Sequence, residues 1–345
     1  MKLTDFDYSL PKELIAQYPA ENRGDEKLLV VSRRDSSFEE KRFSHIADYL
    51  KKGDLLVLND TKVILARIFG KRKTGGRVEI FVLDKTKNPC PALLRPSGKI
   101  KPGEKITLDT GDIVTALDRA EIGWFVNFEK SPDEVLRRCG HVPLPPYIKR
   151  PDESRDEKRY QTVYAEHEGA TASPTAGLHF TQNLLDILRE KGVIIARVTL
   201  HTSYGTFAPI KEENVEKHKM HSESYRISDE NACIIREALE RKARIFACGT
   251  TALRTLEACA ENLMKTPGTG QIPVPGTEGV TNLFIYPGYK FKIVDALITN
   301  FHLPKSTLIL LASAFAGKEL LFKAYEYAIK NEFRFFSYGD ATLIV

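Results

Sequence analysis

Between two stretches that alternate helix and strand signals, residues 62–128 carry strand signals only, and this interruption restricts the fold more than any other feature of the chain. Short β-rich runs at Val63 to Phe69, Arg77 to Leu83, Ala92 to Leu94, Lys105 to Leu108, Ile113 to Leu117 and Trp124 to Phe128 are set apart by turns. Those turns hold Thr74-Gly75-Gly76, Asn88-Pro89, Pro96-Ser97-Gly98, Pro102-Gly103 and Thr110-Gly111-Asp112. Glycine and proline at such intervals stop each strand early, and several short strands in succession close into a small barrel.

On either side the period changes. Leu28 to Val31 and Leu55 to Leu58 read as short buried strands flanking a helix around Phe43 to Leu50. Beyond the proline-rich Val142 to Ile148, read as a return linker, Thr181 caps a helix with Leu184, Leu185 and Leu188 on one face. A strand from Val193 to Leu200 follows, and Ser228, with Asp229 and Glu230 behind it, caps the next helix. Strand Ile245 to Cys248 runs into Gly249-Thr250-Thr251 and another helix, and Lys265 to Gly279 reads as a mobile loop. At 345 residues the chain is too long for one ordinary core. The spacing predicts a mixed α/β main domain of residues 1–60 and 150–345, interrupted by a small β-barrel domain of residues 61–149.

Charge singles out the same insert. From Lys51 to Lys105 there are fourteen Lys and Arg against five Asp and Glu, a surplus of nine on a chain whose net charge is only +5. A basic region on an otherwise acidic protein suits a phosphate backbone, although a solvated lysine-rich surface has the same composition. Lys71, Arg72, Lys73 and Arg77 in the barrel, with Lys149 and Arg150 after it, are the candidate RNA contacts. The five cysteines, Cys90, Cys139, Cys233, Cys248 and Cys259, form no CxxC pair, and their odd number argues against a disulfide framework. His218, His221 and Glu223 are close in sequence but lack the four ligands of structural zinc, so no metal is expected. The opening residues lack an apolar run behind a basic one, and Leu308 to Ala316 is about half a bilayer span. A cytoplasmic protein without a membrane segment is expected, acting as a monomer.

There is no GxGxxG, P-loop or GxSxG elbow, so nicotinamide enzymes, nucleotide triphosphatases and serine hydrolases find no support. Polar residues instead gather where elements should end. In SPTAGLHFT (173–181), Thr175 and Gly177 open a helix to close approach by a ligand. His179 beside them suits proton transfer near neutral pH, or simply packs. In GTTALRTLE (249–257), the amides of Gly249, Thr250 and Thr251, with Arg254 a turn further, offer a carboxylate cradle at the carboxyl end of a strand, or an ordinary cap. TNFHLPKST (299–307) places Asn300 and His302 before an apolar helix, where polar side chains need partners. FFSYGDATLI (335–344) has Ser337, Tyr338 and Asp340 interrupting a strand, as a bulge beside a site or a tight turn. Glu223 is a possible counter-charge, and Tyr204, Phe207 and Tyr225 are stacking candidates or core aromatics. Spacing alone stops at a ligand-binding α/β enzyme with a basic barrel.

Read together, these stretches resemble the S-adenosylmethionine:tRNA ribosyltransferase-isomerase family of queuosine biosynthesis. The likeness includes DFDYSLPKELIAQYP (5–19), LVLNDTKVILARIFG (56–70), PLPPYIKR (143–150), RYQTVYA (159–165), PTAGLHFT (174–181), GTFAPI (205–210), MHSE (220–223), GTTALRTLE, TNFHLPKST and FFSYGDA (335–341). Ten such segments in one order are specific where each alone is weak. Ser173 stands where the family pattern expects alanine, and Thr202-Ser203-Tyr204 replaces a glycine-richer run. The resemblance implies an α/β domain with an inserted barrel, and S-adenosylmethionine (SAM) as a consumed co-substrate with no cofactor. It implies an acceptor 7-aminomethyl-7-deazaguanine at the wobble position of tRNAs with GUN anticodons, and products epoxyqueuosine-tRNA, adenine and methionine. On that reading His179, with His302 second, removes a C5′ proton, and Asp340 or Tyr338 protonates adenine. Arg254 and the Gly249, Thr250 and Thr251 amides hold the methionine carboxylate, with Glu223 near its ammonium or sulfonium. Thr175, Gly177, Asn300 and Ser337 complete the substrate contacts. A SAM-dependent RNA methyltransferase and a non-catalytic RNA-binding protein are the alternatives; the missing glycine-rich strand–turn–helix weighs against the first.

Overall fold

Strands without a polar face have to be covered on both sides. Leu55–Asn59, Ile245–Cys248 and Ala296–Asn300 are buried at every residue. They lie at the centre of a nine-stranded sheet. From edge to edge its order is Thr277–Thr281, Glu223–Ile227, Ile194–Leu200, Leu55–Asn59, Ile245–Cys248, Ala296–Asn300, Ala341–Ile344, Lys27–Val31 and Phe38–Arg42. The four strands from Ile194–Leu200 to Ala296–Asn300 run parallel; Ala341–Ile344 reverses direction against Ala296–Asn300. The protein is described by a computed structural model covering residues 1–202, 210, 212–264 and 276–345. Tyr204, Phe207, most of GTFAPI and residues 265–275 of the expected mobile loop lie outside the described residues; its last residues, 277–279, belong to the edge strand Thr277–Thr281.

Alternation along the central strands divides the core. Leu55 and Val57 face one layer, with Leu253 and Leu256 of helix Gly249–Ala258 and Leu310 of helix Thr307–Ala316. Leu56 and Leu58 face the other, with Phe43, Phe180, Leu184 and Leu188. The expected caps are made: Thr181 accepts from the Leu184 amide and Ser228 from the Asn231 amide. Among the described residues no helix is long and apolar enough to cross a membrane.

The strand-only region is a closed antiparallel barrel of Arg67–Arg72, Arg77–Val82, Cys90–Arg95, Glu104–Leu108, Ile113–Arg119 and Trp124–Phe128. Alternate side chains such as Ile68, Ile80, Leu94, Ile106, Val114 and Val126 fill it, and closure removes the exposed edges that short strands would leave. The fold is thus the expected mixed α/β unit with a small barrel.

Three details differ from the sequence reading. Residues 61–63 do not begin the first barrel strand; Thr61–Val63 pairs in parallel with His167–Ala170, a contact no local pattern announces. A helix, Pro132–Cys139, follows the last barrel strand and adds Val135 and Leu136 to the barrel core. The third departs from only one of the two readings offered: residues 336–340 form the tight turn, preceding strand Ala341–Ile344, and not a bulge within it. The chain segments entering and leaving the barrel bond to each other, with the His141 amide donating to the Arg67 carbonyl at 2.7 Å.

Candidate functional site

Strands Ile245–Cys248 and Ala296–Asn300 run side by side in parallel, the second continuing to Asn300 past the pair Cys248–Ile298, so their carboxyl ends meet at one edge of the sheet. There they border a cleft of about 1240 Å³, its open mouth included. Thr175, Gly249, Thr250, Thr251, Asn300, His302 and Ser337, singled out along 160 residues of sequence, all line it. Residues 249–251 are the first turn of helix Gly249–Ala258, whose leading amides have no partner within the helix.

His179 lies one layer behind this wall. It is 2% exposed, and its Nε2 accepts from the Asn300 side-chain amide at 3.1 Å. Its Nδ1 faces Glu26 Oε2 at 3.6 Å. Burial pushes the Glu26 carboxyl up, but His179 and the Gly24 N–H more than offset this, and it settles below the usual carboxylate range. Asn300 in turn accepts from the Thr175 hydroxyl at 3.0 Å and donates to the Phe336 carbonyl at 3.2 Å. His179 is thus joined to the cleft wall through Asn300, and it borders with Ser337 a smaller cavity behind that wall.

His302 does face the cleft. Its ring Nε2 lies 2.9 Å from the Thr299 hydroxyl, and burial pushes its pKa down to about 3. An unfolded histidine binds a proton near 6.5. Between those values the unfolded chain holds the extra proton, so stability falls as the pH drops from about 6.5 toward 3. Acidifying from pH 7 to pH 5 is expected to cost on the order of 2 kcal/mol through this one side chain. Urea unfolding of His302→Gln should show a shallower loss over that range; identical losses in both proteins would contradict it.

Other expected site residues are drawn elsewhere by stronger partners. Gly177 is not a window for a ligand: a Cβ there would lie 2.0 Å from the Tyr164 hydroxyl oxygen, so the glycine makes room for that ring. Arg254 points away from the cleft into a buried ion pair with Glu223, its Nε donating to the Leu283 carbonyl at 3.1 Å. Both Asp340 oxygens accept backbone N–H groups, from Lys27 at 2.9 Å and Arg334 at 2.6 Å; burial pushes its carboxyl up. Tyr338 donates to Asp156 at 2.8 Å, and burial raises its phenol far above the ordinary range. These two hold the turn before the last strand. His218 packs on the Phe284 ring, and with Glu223 held by Arg254 the His218, His221 and Glu223 set does not converge.

Of the basic candidates, Lys71, Lys73, Arg77 and Lys149 are exposed. Arg72 is paired with both oxygens of Glu104, at 2.5 and 3.0 Å. Arg150 clasps both oxygens of the fully buried Asp156, at 2.6 and 2.8 Å, and stacks over Tyr18. Two of the six are thus ion-paired within the protein; Arg77 also stacks over Phe69, and Lys149 donates to the Pro146 carbonyl at 2.8 Å.

The sequence reading passed over Tyr147 as a cleft residue; Ser173 and Thr202, noted there as departures flanking the proposed cleft, do line it. Tyr147, on the return linker, lines the cleft and bonds to Ser337 Oγ at 2.5 Å. Residues 143–146 just before it line a second cavity against Arg67, Glu79 and Phe81 of the barrel, so this linker has the barrel on one side and the cleft on the other. An aromatic residue among the prolines of VPLPPYI was the available signal.

The sequence model of the queuosine biosynthesis protein family matches residues 3–344. The chain belongs to this family. Among relatives of this queuosine biosynthesis protein, the S-adenosylmethionine:tRNA ribosyltransferase-isomerase of Trichlorobacter lovleyi is 48% identical over 349 residues, covering 100% of both chains. The protein of the same name from Nitrosospira multiformis is 48% identical over 351 residues, covering 100% of this chain and 98% of that protein. A solved structure, the S-adenosylmethionine tRNA ribosyltransferase of Thermotoga maritima, matches with a TM-score of 0.56 and 36% identity over 99% of this chain and 100% of that one. The resemblance read from ten short segments is the family these comparisons find.

Proposed function

We propose that this family member is a S-adenosylmethionine:tRNA ribosyltransferase-isomerase that consumes SAM as a co-substrate. It moves the ribosyl group of SAM onto 7-aminomethyl-7-deazaguanine in the wobble position of tRNAs with GUN anticodons, and releases adenine and methionine. The observation that carries this reading is the cleft itself: a largely apolar space with a helix N-terminus on one wall and the barrel's return linker on another.

The amides of residues 249–251 suit the methionine carboxylate. Among the described residues no carboxylate lines the cleft. A sulfonium held there keeps its full pull on the C5′ hydrogens, which a nearby anion would weaken. We assign proton removal to His302, because it faces the cleft and His179 does not. Its low basicity in the free protein reflects the cost of creating a charge in a buried place. With SAM bound the positive charge is already present, and proton transfer moves it a short way instead of creating it. The imidazolium then returns the proton to adenine as the glycosidic bond breaks. The aminomethyl nitrogen, losing a proton, takes the place of adenine on C1′; the ring oxygen then leaves C1′ but stays on C4′ as the C5′ electron pair freed by proton removal bonds to C1′, and that oxygen closes on C5′ and expels methionine, leaving an epoxide. The target base has to leave its stack to enter, with exposed Lys71, Lys73 and Arg77 on the barrel holding phosphates beside it.

Incubation with SAM and tRNA carrying the aminomethyl base is expected to give adenine and methionine in equal amounts, with one ribosyl-derived mass increment on the tRNA. S-adenosylhomocysteine among the products would mean methyl transfer instead; tRNA binding without SAM turnover would remove the enzymatic reading.

A further inference from the structure

Three hydroxyls in the cleft wall have no partner. Ser173 is 5% exposed, Thr202 3% and Thr251 7%, yet the side-chain oxygen of each is buried without a hydrogen bond among the described residues. Ser173 and Thr202 lie on adjoining segments, the Thr171 amide donating to the Thr202 carbonyl at 2.9 Å. Thr251 is in the first turn of helix Gly249–Ala258. A buried hydroxyl left unbonded is destabilising, so three in one cavity mark a place where a ligand completes the structure.

The chemistry of the wall says which kind of ligand. A hydroxyl both donates and accepts, so these groups suit a partner that presents both functions without charge. Lys305 is the one charged side chain among the described cleft residues, and its ammonium is already paired with Asp7 at 2.5 Å. His302 is kept neutral by burial. We propose that Ser173 and Thr202 form the subsite for the uncharged nucleoside half of SAM, the adenine edge and ribose hydroxyls, with the Thr251 hydroxyl where that half joins the methionyl end held by the amides of residues 249–251. This deepens, and rests on, the assignment of the cleft to SAM.

A ligand-completing hydroxyl and a structural one respond oppositely to deletion. Ser173→Ala and Thr202→Val each remove the hydroxyl at little change in shape. Each is expected to weaken 5′-methylthioadenosine binding, read by calorimetry on the full chain, about five- to tenfold, the measure of one neutral hydrogen bond. Methionine binding stays unchanged, and the melting temperature of the free protein rises by about 2 °C as the orphaned group is lost. Thr202→Ser, which keeps the hydroxyl, restores nucleoside affinity. Unchanged nucleoside affinity with a lower melting temperature would show that the hydroxyls have a structural role and overturn the inference. So would a loss confined to methionine, or failure of the unmodified chain to bind the nucleoside. Because binding is read without tRNA or turnover, a nucleoside subsite in a chain that makes no adenine would count against the proposed reaction alone.

Discussion

Replacing Asn300 with alanine is expected to lower the turnover rate about a hundredfold while the variant still folds. The amide of this 3% exposed residue is the point where three segments meet. Its oxygen holds Thr175, and its nitrogen serves His179 Nε2, the Phe336 carbonyl and, more weakly at 3.4 Å, the Asp340 carbonyl. Alanine releases Thr175 on one cleft wall and residues 336–337 on another, and leaves buried polar atoms unbonded, a cost of roughly 1–3 kcal/mol for each that finds no substitute. Displacing reacting groups by about an ångström is enough for a hundredfold loss of rate. Aspartate should not rescue it, because a carboxylate cannot donate to His179 or to the two carbonyls. Single-turnover adenine release, set beside urea unfolding, separates rate from stability. Full activity in a folded Asn300→Ala variant would mean that this junction does not organise the site.

The second large effect is on stability. Arg254→Met removes the guanidinium that is ion-paired with Glu223, 3% exposed. Breaking a buried pair from one side costs roughly 3–5 kcal/mol, whereas replacing both members by apolar side chains is often close to neutral. Chemical denaturation should therefore show a heavy loss in Arg254→Met and recovery of most of it in the double variant with Glu223→Leu. A folded, stable Arg254→Met protein with weakened SAM binding would instead return Arg254 to the role its position in GTTALRTLE suggests, that of a carboxylate ligand.

The sheet and barrel were legible because their signals are local. Turn residues such as Gly75-Gly76 and Pro102-Gly103 end strands whatever surrounds them, and a run such as Leu55 to Leu58 admits no exposed face. Gly249, Thr250, Thr251, Asn300 and His302 could be placed along one cleft for a similar reason, since residues at the carboxyl ends of neighbouring parallel strands collect at one edge. The differences came from direction and distance. Arg254 is five residues beyond Gly249, roughly 140° around the helix at 100° per residue, so it turns away from the cleft that the helix start borders. Gly177 was read for what a glycine allows and not for Tyr164, thirteen residues earlier, which takes the space. His179 and Asp340 are polar groups of the expected kind, but their partners Glu26 and Lys27 lie over 150 residues away in sequence. No local pattern carries that information.

The bond between Arg67 and His141 has a consequence for how the enzyme would measure its substrate. An insert joined to its host by one strand swings on a pivot; this one is fastened at two neighbouring points that are also tied to each other. Swivelling the basic barrel about either connection would strain the other. An anticodon loop resting on the barrel would therefore be presented at a set distance from the cleft, as work is held in a jig, and the choice of which nucleotide reaches the sulfonium becomes a matter of length along the RNA.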